Sequence, residues 1–165
     1  MRALILTGPP AVGKSTIGRL VARERPCAAF IDIDDVRHLV VSGHAAPWDG
    51  PAGLAQQRLG VLNGCALAGN FLDGGIDVVI ADVLTDTTAG LYRSSLPDVL
   101  ILKLEADFGE AERRAGTRPV HVTAAEFRAM HDQQADFTGY DIRLDVTKLP
   151  AQEATTQVRD LWSTR

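Results

Sequence analysis

The strand-length run Ala3-Leu4-Ile5-Leu6-Thr7 passes without a break into Gly8-Pro9-Pro10-Ala11-Val12-Gly13-Lys14-Ser15, and this junction constrains the fold more than any other feature of the chain. The eight-residue segment fits G-x-x-x-x-G-K-[ST]. Behind it, Thr16-Ile17-Gly18-Arg19-Leu20-Val21-Ala22-Arg23 puts Ile17, Leu20 and Val21 on one helical face. Strand, glycine loop and helix form the setting that a phosphate-binding loop requires. The glycines let backbone N–H groups turn inward around an anion, and the helix N-terminus adds its partial positive charge. Gly8, Pro10, Ala11, Val12, Gly13, Lys14, Ser15 and Thr16 are therefore expected to hold a nucleoside triphosphate. Lys14 would reach the β- and γ-phosphates, and the Ser15 hydroxyl would sit on Mg²⁺.

Around this junction, apolar runs alternate with helical patterns, as βαβ units and a parallel sheet demand. Strands are expected over residues 3–7, 28–33, 77–81, 99–104 and 140–144, and their lack of clean alternation fits burial on both faces. Pro26 should close the first helix near Arg25. Further helices are expected over residues 35–41 and 54–72, the second of these amphipathic and ended by Gly74-Gly75. Thr123-Ala124-Ala125-Glu126 reads as a capping box, and a last helix from about Pro150 presents Ala154, Val158, Leu161 and Trp162 to the core. Residues 44–53 read as a loop rich in Gly and Pro.

The 165 residues suit one domain, with neither a repeat nor a linker to divide them. A net charge of −4 and a pI near 5.5 offer nothing that attracts nucleic acid globally. No apolar run approaches the ~18 residues of a membrane span, and the first one is too short for a signal peptide. A cytoplasmic location is expected, with Cys27 and Cys65 as buried free thiols. The histidines His38, His44, His121 and His131 make no metal-ligand spacing.

Two further constellations narrow the chemistry. The second strand leads into Asp32-Ile33-Asp34-Asp35-Val36-Arg37, and ligands of open α/β sheets bind beyond the carboxyl ends of the strands. Carboxylates there can support Mg²⁺ through water or take a proton from an attacking hydroxyl. After the fourth strand, Arg114 and Arg118 stand four apart and would share one helical face, and the Gly116-Thr117-Arg118-Pro119 stretch suggests a lid over residues 113–122. Arginines from a lid neutralise the charge on a transferring phosphoryl group. The third strand ends in Asp82-Val83, without the Glu that a motor-type hydrolase uses to activate water. Asp82 either touches metal or acceptor from the strand end or caps a turn, and Trp48 is either a substrate wall or a packing anchor. Thr147-Lys148-Leu149-Pro150 lacks the carboxylate that reads guanine in GTPases.

On these residues the chain resembles the small P-loop kinases related to adenylate, shikimate and gluconate kinases, and is most similar in pattern to polynucleotide 5′-kinases and chloramphenicol phosphotransferase-like enzymes. Asp34-Asp35-Val36-Arg37 matches their D-x-x-R, which implies Asp34 as the base toward the acceptor hydroxyl and Arg37 as the residue that steadies the acceptor. Asp32 matches the aspartate that shikimate-type kinases hold near Mg²⁺. The resemblance also implies a three-layer α/β/α fold whose five parallel strands run in the order 2-3-1-4-5. It puts the loop around Asp145-Val146-Thr147 near the adenine and an acceptor-binding region over about residues 37–70.

The reading is a kinase using ATP, with GTP as the alternative donor, and Mg²⁺ to phosphorylate a hydroxyl of a small molecule. An antibiotic or nucleoside-like natural product is the favoured acceptor. Lys14, Asp34 and Arg118 are its expected catalytic residues, Arg114, Asp145 and Thr147 flank the nucleotide, and Arg37, Trp48 and Asp82 face the acceptor. Its rivals are a polynucleotide 5′-kinase and a nucleotide-dependent switch without transfer chemistry.

Overall fold

The computed structural model describes residues 1–117 and 123–164. Its centre is a five-stranded parallel sheet in the order β2-β3-β1-β4-β5, built from β1 (Ala3–Thr7), β2 (Ala28–Asp32), β3 (Asp77–Ala81), β4 (Leu100–Glu105) and β5 (Ile142–Asp145). β1 and β3 are buried at every position, because helices cover both of their faces. Side chains alternate across the sheet. Ile5, Ile80 and Ile101 join one core with Ile33, Val61 and Tyr92, whereas Leu4, Leu6, Leu102 and Leu104 join another with Ile17, Val21, Val158 and Trp162. The first core lies under α2 (Ile33–Arg37), α3 (Gly50–Asp73) and α4 (Asp86–Ser95), the second under α1 (Lys14–Arg23) and α7 (Ala151–Ser163).

Two more helices, α5 (Phe108–Ala115) and α6 (Ala124–Asp136), sit over the loop that follows β1. Phe127 and Ala111 bury against Ala11, with Phe108 beside them. The expected capping box opens α6: the Thr123 hydroxyl accepts from the Glu126 N–H at 3.2 Å, and the Glu126 carboxylate accepts from the Thr123 N–H at 2.7 Å.

Several expectations need correction. The helix expected over residues 35–41 begins two residues earlier and ends at Arg37, because the Asp32 side chain caps it by accepting from the Asp34 N–H at 3.2 Å. α4 has no counterpart in the sequence reading. Its residues DTTAGLYRSS are poor helix formers, and Tyr92 and Ala89 hold it by burying against the sheet. Cys27 is exposed at the foot of β2, and only Cys65 is buried. Leu161 of α7 is half-buried, while Ala154, Val158 and Trp162 form its core face.

α3 buries a face of small residues, so α2 lies close against it. A Cβ at Gly60 would come within 2.7 Å of Arg37 Cγ, and one at Gly64 would overlap Ile33 Cδ1. This close approach seats α2, with its Asp34 and Arg37, at the carboxyl edge of the sheet. Among the described residues, no helix is long and apolar enough to cross a membrane.

Candidate functional site

The loop between β1 and α1 adopts a conformation its glycines make accessible. Gly8 has φ 133°, Gly13 has φ 100°, and a Cβ at Gly8 would collide with the carbonyl oxygen of Leu104. Ala11 between them is held at φ 64°, a left-handed conformation uncommon for a residue with a Cβ. Lys14 Nζ folds back over the loop and donates to the carbonyl oxygens of Gly8 and Pro9, both at 2.9 Å. The loop is also braced from α6, where His131 Nε2 lies 3.1 Å from the Pro10 carbonyl oxygen. Burial among Phe108 and Phe127 lowers the His131 pKa, which favours the neutral imidazole.

The start of α1 contrasts with those of α4 and α6. α4 and α6 open with capping boxes, Thr85 with Thr88 and Thr123 with Glu126. α1 opens on left-handed Gly13, and among the described residues no side chain caps it and no acidic residue occupies its first turn. Its first N–H groups and the positive end of its dipole are therefore directed at the loop cavity, an arrangement suited to an anion.

Two cavities meet at this loop, sharing Ala11 and Gly13. One, of about 520 Å³, lies on the α1 flank between Thr16, Arg114, Thr117 and the 146–151 segment. Arg114 is fixed there: Nε donates to Glu110 at 2.7 Å, and Nη2 donates to the carbonyl oxygens of Val146 at 2.9 Å and Thr147 at 3.2 Å. Hydrogen bonds from Arg113 and Arg114 hold Glu110 down to a pKa of about 2. Asp145 is not brought into this cavity. Its Oδ1 accepts from the Thr147 hydroxyl at 2.6 Å and the Thr147 N–H at 2.8 Å, which lowers its pKa and makes it the brace of the turn that carries Thr147.

The second cavity, about 600 Å³, is the cleft over the carboxyl ends of β2 and β3. It brings together Lys14, Ser15, Asp32, Asp34, Arg37, Trp48 and Asp82 from the sequence reading, and adds His38, His44, Met130 and Gln133. Ser15 Oγ donates to Asp32 Oδ2 at 2.7 Å. Arg37 pairs with the Asp34 carboxylate. Asp35 points elsewhere, 76% exposed and 3.8 Å from Arg19. Asp82 is almost fully buried; its Oδ2 accepts from Tyr92 Oη at 3.0 Å and its Oδ1 from the Val83 N–H at 2.8 Å. Asp82 thus both closes a turn and lines the cleft. Burial pushes its pKa up to about 7, against the Arg37 charge and the Tyr92 hydrogen bond.

Among the described residues, no group of three or more His, Cys, Asp or Glu side chains could hold a metal ion. The adjacent Ser15 hydroxyl and Asp32 carboxylate do fit Mg²⁺, which takes a few hard oxygen donors and keeps several waters. Arg118 lies outside the described residues, as does the second half of the expected lid; α5 itself ends at Ala115. Sequence reasoning missed Tyr92, Gln56 and Asp49, which act through partners far along the chain or on a loop without a motif.

No family model matches the chain, and no curated protein matches it. Solved structures do. A sugar kinase from Janibacter sp. is 17% identical with a TM-score of 0.72, over 99% of this chain and 93% of that one. A shikimate kinase from Bacteroides thetaiotaomicron is 15% identical with a TM-score of 0.71, over 98% of each chain. The tunicamycin resistance protein of Deinococcus radiodurans is 14% identical with a TM-score of 0.70, over 98% of this chain and 95% of that one. At such identities the likeness is one of fold: three layers around a parallel sheet in the order 2-3-1-4-5, shared with small-molecule kinases.

Proposed function

We propose that the chain is one kinase domain that uses ATP and Mg²⁺ to phosphorylate a hydroxyl of a small molecule, with an antibiotic or nucleoside-like natural product as the favoured acceptor. The observation that carries this reading is the uncapped start of α1 at a glycine-shaped loop, opening directly onto a cleft that holds Asp34. An anion site alone would serve any nucleotide-binding protein. A carboxylate beside it, in a cleft of small-molecule size, supports transfer to an acceptor hydroxyl.

In this reading, the loop N–H groups and Lys14 hold the triphosphate, and the 520 Å³ cavity beside Arg114 and Thr147 takes the nucleoside. Ser15 and Asp32 would hold Mg²⁺, which when bound neutralises charge on the phosphates. Asp34 accepts the proton of the acceptor hydroxyl. The acceptor oxygen bonds to the γ-phosphorus as the bond to the β–γ bridging oxygen breaks, and ADP leaves. Arg37 aims Asp34 by pairing with its carboxylate. Arg118 completes the reading as the lid cation over the transferring group.

Lys14→Ala tests the phosphate site. The variant should fold, lose most of its ATP affinity in calorimetry and release no ADP with any hydroxyl compound. Unchanged ATP binding in the folded variant would refute the reading.

A further inference from the structure

The outer wall of the cleft is a built surface. Residues 43–49 are tied to α3 by Gln56, whose Oε1 accepts from the Ala45 N–H at 2.8 Å and whose Nε2 donates to the Gly43 carbonyl oxygen at 2.7 Å. Asp49 closes the same loop by accepting from the Ala46 N–H at 2.7 Å, and α3 packs so tightly beneath it that a Cβ at Gly53 would fall on the Ala46 carbonyl oxygen. The loop thereby presents His44, Pro47 and the half-exposed indole of Trp48 to the cleft. His38 lies beside His44, with ring centroids 5.0 Å apart and planes tilted by 32°. Flat side chains on a loop whose backbone is held in this way form a surface for a ring.

The charges of the cleft discriminate further. Among the described residues, its acids are Asp32, Asp34 and Asp82, and its fixed cations are Lys14 and Arg37. Lys14 bends over the phosphate loop. Arg37 is paired with Asp34, and its stem is clamped against the backbone of Gly60. Among the described residues that line the cleft, His38 and His44 are the remaining titratable groups. A carboxylate or phosphate on the acceptor would thus meet fixed cations already engaged, beside three aspartates and the phosphates of the donor.

We infer that the acceptor is a ring-bearing alcohol with no carboxylate or phosphate of its own, and that its flat face lies along the His44–Trp48 wall. This rests on the kinase reading for the site but has its own test. Trp48 emission reports occupancy of the wall, with buried Trp162 as background. Two matched pairs serve as probes: phenyl β-D-glucopyranoside against phenyl β-D-glucuronide, and thymidine against thymidine 3′-phosphate. The uncharged member of each pair should bind about tenfold more tightly or better. In calorimetry, which needs no indole, Trp48→Ala should weaken it by a similar factor, and Trp48→Phe should restore most of the loss. Equal or tighter binding of the anionic members, or uncharged members that leave Trp48 emission unmoved, would overturn the inference. ATP binding indifferent to Lys14→Ala sinks the kinase reading alone, whereas a charge preference of the wrong sign sinks only this inference.

Discussion

Asp77 and Asp82 stand at opposite ends of one five-residue strand, both buried, and their surroundings drive them in opposite directions. At the foot of β3, burial raises the Asp77 pKa, but hydrogen bonds from Arg25 and the Arg2 N–H outweigh it, and the pKa falls below its ordinary value. Arg25 donates to Asp77 Oδ2 from Nε at 2.9 Å and from Nη2 at 2.6 Å while lying over the Trp162 ring. At the mouth, Asp82 meets a phenol and one N–H but no cation of its own, since Arg37 is turned to Asp34. Burial therefore prevails, and the carboxyl titrates near 7. The foot is a compensated joint. The mouth keeps its charge incompletely compensated where a ligand enters, the condition in which titratable groups are found at functional sites.

The largest effect that would sharpen this contrast is kinetic and confined to the mouth. Asp34→Asn should lower kcat by about 10²–10⁴-fold while ATP affinity and melting temperature hold, as for loss of a general base. Asp35→Asn, next to it but facing Arg19 at the surface, should stay near wild type. Inactivity of Asp35→Asn with a working Asp34→Asn would shift the base by one residue.

At the foot the expected effect is on stability. Asp77→Asn leaves Arg25 without its carboxylate and should cost about 3 kcal/mol in urea unfolding at pH 7, the low end for a broken buried pair because Arg25 is partly exposed. Turnover per folded molecule should not change. A lowered pKa gives stability that is present above the ordinary carboxylate range and lost as pH falls through the folded value. The variant should therefore converge on wild type in acid, and a constant gap down to pH 2 would break the contrast.

The smallest effect has the opposite sign. A pKa raised to about 7 means that the folded protein retains a proton the unfolded chain releases near pH 4. That contribution is complete below pH 4 and is lost as pH rises through 7. Asp82→Asn should flatten this slope, so its stability relative to wild type should rise steadily as pH goes from 5 to 8. Thermal melts from pH 5 to pH 8 check it. A parallel pair of curves would mean that Asp82 is ionised throughout.

What the sequence alone determined is local in origin. The Gly8–Ser15 loop, its strand and its helix are contiguous, so the conformational freedom of glycine and the direction of the helix dipole could be read from neighbouring residues. Asp34 and Arg37, three apart on one short helix, could be read together for the same reason, and so could the Thr123–Glu126 box. Tertiary structure decided the rest. α4 exists because Tyr92 and Ala89 find a sheet to bury against, which intrinsic propensity does not reveal. Arg114 binds the carbonyl oxygens of residues 146 and 147, and Asp145 is occupied by Thr147, so the arginine lines the cavity beside α1 and the aspartate braces a turn. Asp82 gains its character from Tyr92 ten residues away, and the outer wall of the cleft from Gln56 reaching back to Gly43. A polar side chain's role depends on which partners the fold brings to it and how much water the fold removes, and neither is encoded in the residues next to it.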